Sequence, residues 1–469
     1  MRIDRHPALS TVAALTALSL LSACSLNPPL KKPSMPVPAS YGGDNEAPGN
    51  GADLAWRSML PDPRLQALVA LALENNRDLR LAALNVAAVQ AQYQVQSASE
   101  LPRVDAGVSA TRQRGVADEG SEVRTQVRES SNASLSINAF ELDFFGRLRS
   151  QSEAAFSRYL ASVEGQRAAR MTLIAAVADA YLAQRLAEEQ ALLTRRTLAD
   201  WRQSLDLTER LYGARQRSAL DLAQARGQVA TAEADLHARD RALRLAQNNL
   251  ELLAGSALPA GLPAGLTLTA QPVLTDIPAG LPSDLLVRRP DIIEAEHALA
   301  AANADIGAAR AAFFPRISLT AQLGFASPEV GGLFRGSRQS WSFAPQVTQP
   351  IFHGGQLRAE LRLAQLRKSV AVAQYERVIQ VAFREVSDAL AGKQTYRQQL
   401  QAQQRVVKEA STRERLSRLR YDAGQDSRLE LLDAQRQAYG AHSALLDLQR
   451  EHQRSAIALY QALGGGSDR

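Results

Sequence analysis

The feature that most constrains the fold of this sequence is a helix-forming run that ends at a proline and passes at once into an alternating strand pattern. In residues 289–325, Pro290 suits a first helical position and Asp291 lies in the first turn, where a carboxylate meets the positive end of the helix dipole. An alanine-rich run then ends at Pro315. Beyond it, polar residues alternate with apolar ones, namely Ile317, Leu319, Ala321, Leu323 and Phe325. This period of two predicts a strand with one apolar and one polar face.

The same unit occurs earlier in the chain. Asp78 opens a helix-forming run that also ends at a proline and leads into an alternating pattern, and it precedes Asp291 by 213 residues. Further along, Tyr212 precedes Tyr421 by 209 residues. A spacing kept so closely over much of the chain predicts an internal twofold repeat.

The repeat predicts the domain organisation. Two structural repeats, residues 61–255 and 289–466, are expected on either side of a proline-rich linker or equatorial segment at 256–288. Each repeat should contain two strands joined by a polar loop, followed by two long helices. The expected strands are about 103–113 and 132–143, then about 315–326 and 341–351; the expected helices are about 147–211 and 217–254, then about 356–421 and 427–463. Apolar residues at intervals of seven, as in Leu222, Val229, Leu236, Leu243 and Leu250, predict coiled-coil packing of these helices.

The N-terminus is typical of a secreted lipoprotein. Arg2 and Arg5 precede a mostly apolar stretch, which predicts a signal peptide over residues 1–23. The stretch ends in Leu-Ser-Ala-Cys, which resembles a bacterial lipobox, and Cys24 is the only cysteine of the chain, so it cannot form an intrachain disulfide. We therefore predict that Cys24 carries a lipid and that residues 24–60 form a tether with little to pack. The alternative is an ordinary signal peptide with an incidental cysteine.

Composition and motifs exclude several classes of function. A net charge of +6 is small for 469 residues, and no cluster of basic residues alternates with aromatic ones, so a nucleic-acid partner is not expected. The six histidines show no metal-ligand spacing, and the sequence contains no HExxH, GxSxG or phosphate-loop motif. We expect neither an enzyme nor a metal site, and no cofactor apart from the covalent lipid on Cys24.

The strand count predicts an assembly. Four strands per chain are too few to close a barrel, for which about eight is the smallest common number. No segment after the signal peptide is apolar enough for a spanning helix, and lipid does not tolerate open strand edges, so at least two copies must assemble if the chain crosses a bilayer. Nine of the eleven phenylalanines lie in or beside the expected hairpins, which favours a membrane-interface girdle over the alternative, a small soluble hairpin core. Because one strand face is polar, the enclosed space should hold water, which predicts a conduit.

Six motifs also carry a family resemblance. They are Leu-Glu-Asn-Asn-Arg-Asp-Leu-Arg (73–80), Phe-Glu-Leu-Asp-Phe-Phe-Gly-Arg-Leu-Arg (140–149), Arg-Arg-Pro-Asp-Ile (288–292), Ala-Phe-Phe-Pro-Arg-Ile-Ser-Leu (312–319), Leu-Leu-Asp-Ala-Gln-Arg (431–436) and Leu-Tyr-Gln-Ala-Leu-Gly-Gly-Gly (459–466). By these motifs taken together, the chain resembles the lipoprotein (NodT-type) branch of the TolC/OprM family of outer-membrane efflux proteins. The resemblance implies a mainly α fold with a membrane β-hairpin pair. It also implies a homotrimer with a 12-stranded outer-membrane β-barrel continued by a long α-helical coiled-coil barrel.

The function implied by this resemblance is that of an exit duct in a tripartite drug or xenobiotic efflux system. The implied partners are a periplasmic adaptor (membrane fusion) protein, an inner-membrane RND-type pump and the lipid of the outer membrane, into which the chain would be lipid-anchored while extending into the periplasm. Two alternatives stay open. A channel for type I protein secretion is less favoured because such relatives usually lack the lipid anchor, and a periplasmic coiled-coil structural lipoprotein would conduct no ions.

The resemblance also implies a gate at the periplasmic end of the helices. By motif match, Leu429, Glu430 and Asp433 would close the tunnel there, because symmetry would gather repelling, cation-binding carboxylates around one axis and a leucine ring would exclude water. Tyr421 and Asp221 match residues that tighten the corner in relatives.

Two points about this gate stay open. The first-turn carboxylates Glu430 and Asp433 would also stabilise the helix dipole on a solvated face. Asp426 stands where some relatives have arginine, so the corner ion pair of those relatives is in doubt in this chain.

Overall fold

The structure is a computed structural model that describes residues 26–38, 40–41, 51–119, 122–280 and 282–466. The expected signal peptide and the lipid attachment site Cys24 lie outside the described residues. The chain divides into two compact units, each assembled from three separate segments. Unit 1 contains Met1–Ser34, Val86–Ser162 and Ala295–Tyr375; unit 2 contains Met35–Asn85, Val163–Glu294 and Glu376–Arg469.

Helices dominate the described part of the chain, as the sequence predicts. The described residues form nine α-helices: α1 (Trp56–Met59), α2 (Pro63–Asn75), α3 (Arg77–Ala98), α4 (Arg147–Gly213), α5 (Ala219–Ala254), α6 (Leu285–Arg288), α7 (Pro290–Ala311), α8 (Gln356–Asp422) and α9 (Arg428–Ala462). The two longest, α4 and α8, have 67 residues each. Neither contains a proline, which would remove a backbone hydrogen bond and break such a helix. None of the helices in the described part of the chain is both long and apolar enough to cross a membrane.

Unit 1 contains a four-stranded antiparallel sheet in the order β1-β2-β3-β4. The strands are β1 (Val104–Glu119), β2 (Glu122–Leu142), β3 (Arg316–Ser327) and β4 (Gln339–Thr348). The register places apolar side chains in rows across the sheet, such as Ala106, Leu135, Leu323 and Trp341. The neighbouring row on the opposite face is polar and consists of Asp105, Ser136, Gln322 and Ser342. The sheet therefore has the one apolar and one polar face that the alternation predicts.

The first hairpin is longer than the sequence predicts. Residues 114–131 were expected to form a polar loop. Those that the structure describes, 114–119 and 122–131, continue as strand instead. The expectation treated charged residues as a loop signal, but strands pair through their backbone groups and tolerate charge wherever side chains face water. Arg112 and Glu129, for example, are direct cross-strand partners and form an exposed ion pair of 2.9 Å between Nε and Oε1.

A β-bulge in β2 corrects a second detail. Continued alternation after Leu135 and Ile137 predicts Ala139 on the apolar face, but the register shifts between Ile137 and Phe140, and Ala139 has a φ of 50°. Its amide donates to the hydroxyl of Thr320 at 3.2 Å instead of continuing the ladder. One extra residue in the strand moves the following side chains to the other face. Phe140 and Leu142 therefore rejoin the apolar rows.

The N-terminal segment, residues 26–34, is packed, which corrects the expectation of a tether with little to pack. Three polar side chains of α7, spaced seven residues apart and therefore on one stripe of the helix, hold it. Arg310 donates to the carbonyl of Leu26 at 3.2 Å, Asn303 donates to the carbonyl of Pro28 at 2.8 Å, and Glu296 pairs with Lys32 at 2.6 Å. The segment thus runs antiparallel to α7 within unit 1.

Asn27 fixes this segment to the start of α4 as well. Its side-chain oxygen accepts from the Ser150 hydroxyl at 2.9 Å, and its amide nitrogen donates to Glu153 at 2.6 Å. The space that Asn27 occupies exists because residue 307 on α7 is glycine, since a Cβ at that position would overlap the Asn27 oxygen. Gly307 therefore forms a notch for the N-terminal segment.

Replacing this glycine should release the segment. We expect Gly307→Ala to raise amide hydrogen exchange in residues 26–34 by about tenfold or more, because the added methyl group displaces Asn27 and its two side-chain bonds, each worth about 1 kcal/mol. Hydrogen-exchange mass spectrometry of the intact protein would measure this. Gly227→Ala on α5 is the control, since nothing lies within 4 Å of a Cβ there. Equal exchange in the two variants would contradict the notch.

Unit 2 contains the coiled-coil packing that the heptads predict. Leu222, Val229 and Leu250 on α5 are buried, while the two leucines between the latter positions are half-buried. Val229 packs in one cluster with Leu198 and Trp201 of α4. Leu236 packs against the same cluster, so these two members of the heptad series lie at a seam between α4 and α5, as in a two-stranded coiled coil.

The linker segment also packs in unit 2. Asp62, which caps α2 through the amide of Arg64 at 2.8 Å, is buried and accepts from the Tyr181 hydroxyl at 2.8 Å and from the Gln271 amide at 2.9 Å. Burial of a carboxylate is tolerated when donors surround it in this way. One side chain thus connects α2, α4 and the proline-rich segment.

Candidate functional site: the second helical corner

Two tight corners in unit 2 connect the long helices, one from α4 to α5 and one from α8 to α9. In each corner, the backbone amide of a glutamine donates at 2.8 Å to the backbone carbonyl five residues earlier. Gln216 donates to Leu211, and Gln425 donates to Arg420. In each, one residue takes the left-handed conformation, Arg215 with a φ of 64° and Gly424 with a φ of 71°. These are features of a helix C-terminus that closes with a left-handed residue. The two corners therefore have the same backbone design.

Serine caps begin both returning helices. Ser218 accepts from the Asp221 amide at 3.1 Å, and Asp221 in turn accepts from the backbone amide of Ser218, so that the two form a capping box on α5. Ser427 caps α9 by accepting from the Glu430 amide at 3.2 Å. Hydrogen bonds from the Ser218 hydroxyl and amide hold the pKa of Asp221 below its ordinary value, and the charges of two nearby arginines act in the same direction. Asp221 is therefore ionised at neutral pH.

The structure places the three expected gate residues in the first two turns of α9. Leu429 is exposed, with 63% of its surface accessible. Glu430 and Asp433 lie one turn apart and bind the same guanidinium, since Nη2 of Arg413 on α8 donates to Glu430 at 2.6 Å and to Asp433 at 2.8 Å. These bonds raise the pKa of Arg413, and the bond to Glu430 has the largest effect. The two carboxylates thus have a cationic partner within their own chain.

Tyr421 and Asp221, the expected corner residues, share two arginines instead of bonding to each other in the described structure. Arg217 lies over the Tyr421 ring at 4.9 Å, and the hydroxyl of Tyr421 accepts from Arg428 at 3.4 Å. The positive charges of the same two arginines act on Asp221 and lower its pKa. The corner is therefore an electrostatic cluster in which one phenol and one carboxylate neighbour two guanidinium groups.

Arg428 links three helices at this corner. It is the first residue of α9 and is buried, with 6% of its surface accessible. Its guanidinium donates to Tyr421 on α8 at 3.4 Å and to the hydroxyl of Ser204 on α4 at 3.3 Å. Because Leu429 is the next residue, these bonds hold the start of the expected gate against α4.

Asp426 forms an ion pair at the corner, which answers the point that the sequence left open. Its carboxylate lies 3.6 Å from Nε of Arg420, at the end of the preceding helix. The acidic residue thus pairs with a base six positions earlier in its own chain. Because the Arg420 side chain is exposed and the distance is long, this pair contributes at most about 1 kcal/mol.

The corner combines one exposed apolar side chain with acidic and basic side chains, a set that can bind ions. The described residues contain no group of three or more His, Cys, Asp or Glu side chains that could hold a metal ion. What they do contain is an exposed leucine beside two carboxylates, with arginines on either side.

A protein-family comparison identifies the chain. The model of the family described as "Outer membrane efflux protein" matches it twice, over residues 68–256 and 281–465. The chain belongs to the outer membrane efflux protein family. Family membership places it in the outer membrane, as the resemblance predicts.

Curated relatives in this family extend over almost the whole chain. The toluene efflux pump outer membrane protein TtgC of Pseudomonas putida is 44% identical, over 97% of this chain and 94% of the relative. The antibiotic efflux pump outer membrane protein ArpC, also of Pseudomonas putida, shows the same identity and coverage. Outer membrane protein OprJ of Pseudomonas aeruginosa is 43% identical, over 99% of this chain and 97% of the relative.

Solved structures of outer membrane efflux proteins have the same fold. The open state of the Neisseria gonorrhoeae MtrE outer membrane channel has a TM-score of 0.87 and 38% identity, covering 95% of this chain and 99% of that one. A structure of CusC has a TM-score of 0.85 and 39% identity, covering 94% of this chain and 100% of that one.

Sequence reasoning missed the arginines that contact the expected gate and corner residues in this efflux protein, among them Arg413 and Arg428. Arg413 precedes Glu430 by 17 positions and lies on a different helix. Arg428 directly precedes Leu429. Their contacts arise only when distant helices fold together, since Arg413 on α8 meets α9, and Arg428 on α9 meets α8 and α4. The sequence does offer one signal for such pairs, which is the short corner between the two helices. Residues at equal distances before and after a short corner lie opposite each other.

Proposed function

We propose that the chain is the outer-membrane exit duct of a tripartite drug or xenobiotic efflux system, a passive conduit gated at its periplasmic helical end. The observation that carries the proposal is the similarity along nearly the full chain to outer membrane components of efflux pumps. The two-faced sheet supports it, since a membrane conduit needs one apolar face toward lipid and one polar face toward water.

The conduit is a homotrimer in this proposal. The sheet of one chain has β1 and β4 at its edges, and open strand edges are not tolerated in lipid. Three copies, each pairing its β4 with β1 of the next, pool their strands into a closed 12-stranded barrel and their long helices into a coiled-coil tunnel. The lumen is then lined by the polar rows of the sheet.

We further propose that the two halves of the chain are an internal twofold repeat. The family model matches the chain in two successive segments, and the two corners share their hydrogen bonds and their left-handed residue. The domain limits proposed from the sequence, 61–255 and 289–466 around a linker, follow from this repeat.

The gate proposal assigns the roles of the corner residues. Leu429 forms the water-excluding ring, and Glu430 with Asp433 forms the charged ring that cations meet. Tyr421 and Asp221 support the gate through the arginines that they share. Exposure of Leu429 on an otherwise polar first turn supports its role, since a buried structural leucine would be covered within its own chain.

Lipid and protein partners complete the proposal. A lipid on Cys24 anchors the chain in the outer membrane, and no other cofactor is needed by a passive conduit. The partners are a periplasmic adaptor protein and an inner-membrane RND-type pump, because relatives are named as outer membrane components of pumps. Relatives of equal similarity are named for toluene and for antibiotics, so the pump and not this chain decides the cargo.

Deletion with complementation tests this function. We expect loss of the gene to lower the inhibitory concentrations of toluene-like solvents and amphiphilic antibiotics by about fourfold or more, and the wild-type gene to restore them. Planar bilayers that contain the purified protein should show ion currents. A deletion strain with unchanged susceptibility and a protein that conducts no current would together contradict the proposal.

A further inference from the structure

Arg413 joins both carboxylates of the proposed gate in one cluster. Besides its bonds to Glu430 and Asp433, its Nη1 donates to the side-chain oxygen of Gln437 at 2.6 Å. Gln437 in turn donates to Asp433 at 3.0 Å. The guanidinium of α8 therefore meets three successive polar side chains on one face of α9.

The cluster changes the charge that the gate presents. Two carboxylates alone would contribute two negative charges per chain, whereas the Arg413 guanidinium leaves one. In a ring of three copies, Glu430 and Asp433 would supply six negative charges, and Arg413 would neutralise three of them. Because a unit charge acts strongly on neighbours at hydrogen-bond distance, this compensation must alter how strongly the ring attracts cations.

The exposure of the cluster argues against a mainly structural role. The side chains of Arg413, Glu430 and Asp433 are 37%, 44% and 49% accessible. Ion pairs as exposed as these contribute little to folding stability. The cluster also borders a hollow of about 650 Å³ between α8 and α9, which Arg420 and Asp426 line from the other side. Solvent ions can therefore reach the carboxylates.

From this geometry we infer that Arg413 is the counter-ion that sets the ion selectivity of the gate. It holds Glu430 and Asp433 in a half-neutralised ring, which lets cations pass without binding tightly. The inference rests on the proposed function and adds to it a residue that determines selectivity. Substitution of Arg413 converts the ring into a strong cation-binding site.

Reversal potentials in planar bilayers test this role on the full-length protein. In a potassium chloride gradient, we expect Arg413→Gln to raise the cation-to-anion permeability ratio by about fivefold, which is the effect of one unit charge about 4 Å away in water. Magnesium ions should block the variant at a concentration lower by a similar factor. Arg413→Lys keeps the charge and should stay close to the wild type.

Arg420→Gln is the matched control, because it removes the same charge from the same helix. The ion pair that it breaks is with Asp426 and not with Glu430 or Asp433. Its selectivity should remain within about twofold of the wild type. If Arg413→Gln and Arg420→Gln gave the same permeability ratio, the inference would be overturned while the currents still supported a conduit. A wild type without current would overturn the proposed function and this inference together.

Discussion

Leu323→Arg is expected to abolish assembly in the outer membrane. Leu323 lies in the middle of β3, faces Leu135 and Trp341 in an apolar row, and is 52% accessible in the single chain. If this row faces lipid, an arginine there costs about 2–4 kcal/mol per chain near the midplane, and each trimer carries three such substitutions. The variant should therefore leave the outer-membrane fraction and fail to restore resistance in the deletion strain.

The neighbouring residue provides the control for this substitution. Gln322→Arg introduces the same side chain one position away, on the face that carries Ser136 and Ser342. It costs the hydrogen bond that Gln322 donates to Ser134 at 2.8 Å, worth about 1 kcal/mol. We expect this variant to reach the outer membrane at close to the wild-type level. Equal levels of the two variants in membrane fractions would show that the apolar face does not meet lipid.

Arg428→Leu is expected to produce a channel that is open for a larger fraction of the time. The substitution removes the bonds to Tyr421 and Ser204 that hold the start of α9 against its neighbours, each worth about 1–2 kcal/mol. Leucine fills much of the same buried space, and it removes a positive charge from the first turn of a helix, where such a charge is unfavourable. If these bonds hold the proposed gate closed, their loss should raise the open fraction by roughly tenfold or more without loss of the fold.

Single-channel recording would measure this opening, and susceptibility to a large antibiotic that the outer membrane normally excludes would report it in cells. The control is Arg420→Leu at the same corner, since the pair of this exposed arginine with Asp426 is long, and therefore weak, and does not link α9 to α4. If the Arg428→Leu channel opened no more often than this control, Arg428 would not be one of the residues that hold the gate closed.

The sequence predicts the regular parts of this fold because they follow from local rules. The long helices α4 and α8 end within two residues of the expected positions, since an absence of proline and a corner with a left-handed residue determine their limits. The two faces of the sheet follow from a period of two. The bulge at Ala139 escapes this rule, because an extra residue in a strand has no signal in alternation alone.

Contacts between distant segments are what the sequence does not reveal. The N-terminal segment looks like a flexible tether by composition, yet Gly307 and the stripe of Glu296, Asn303 and Arg310 on α7 hold it in place. The spacing of seven in that stripe is visible in the sequence, but its partner is not. Likewise, motif matching finds Glu430 and Asp433, whereas Arg413 becomes visible only when the two helices are folded together.

The central claim is that three copies of the chain close one barrel because a single sheet cannot satisfy its own edges in lipid. Native mass spectrometry of the full-length lipoprotein, extracted from outer membranes in mild detergent, tests it most directly. The account predicts a complex with three times the mass of the mature chain, and a Leu323→Arg variant that is absent from it. A wild-type protein that is extracted as single chains, or as any complex other than three copies, would contradict the account.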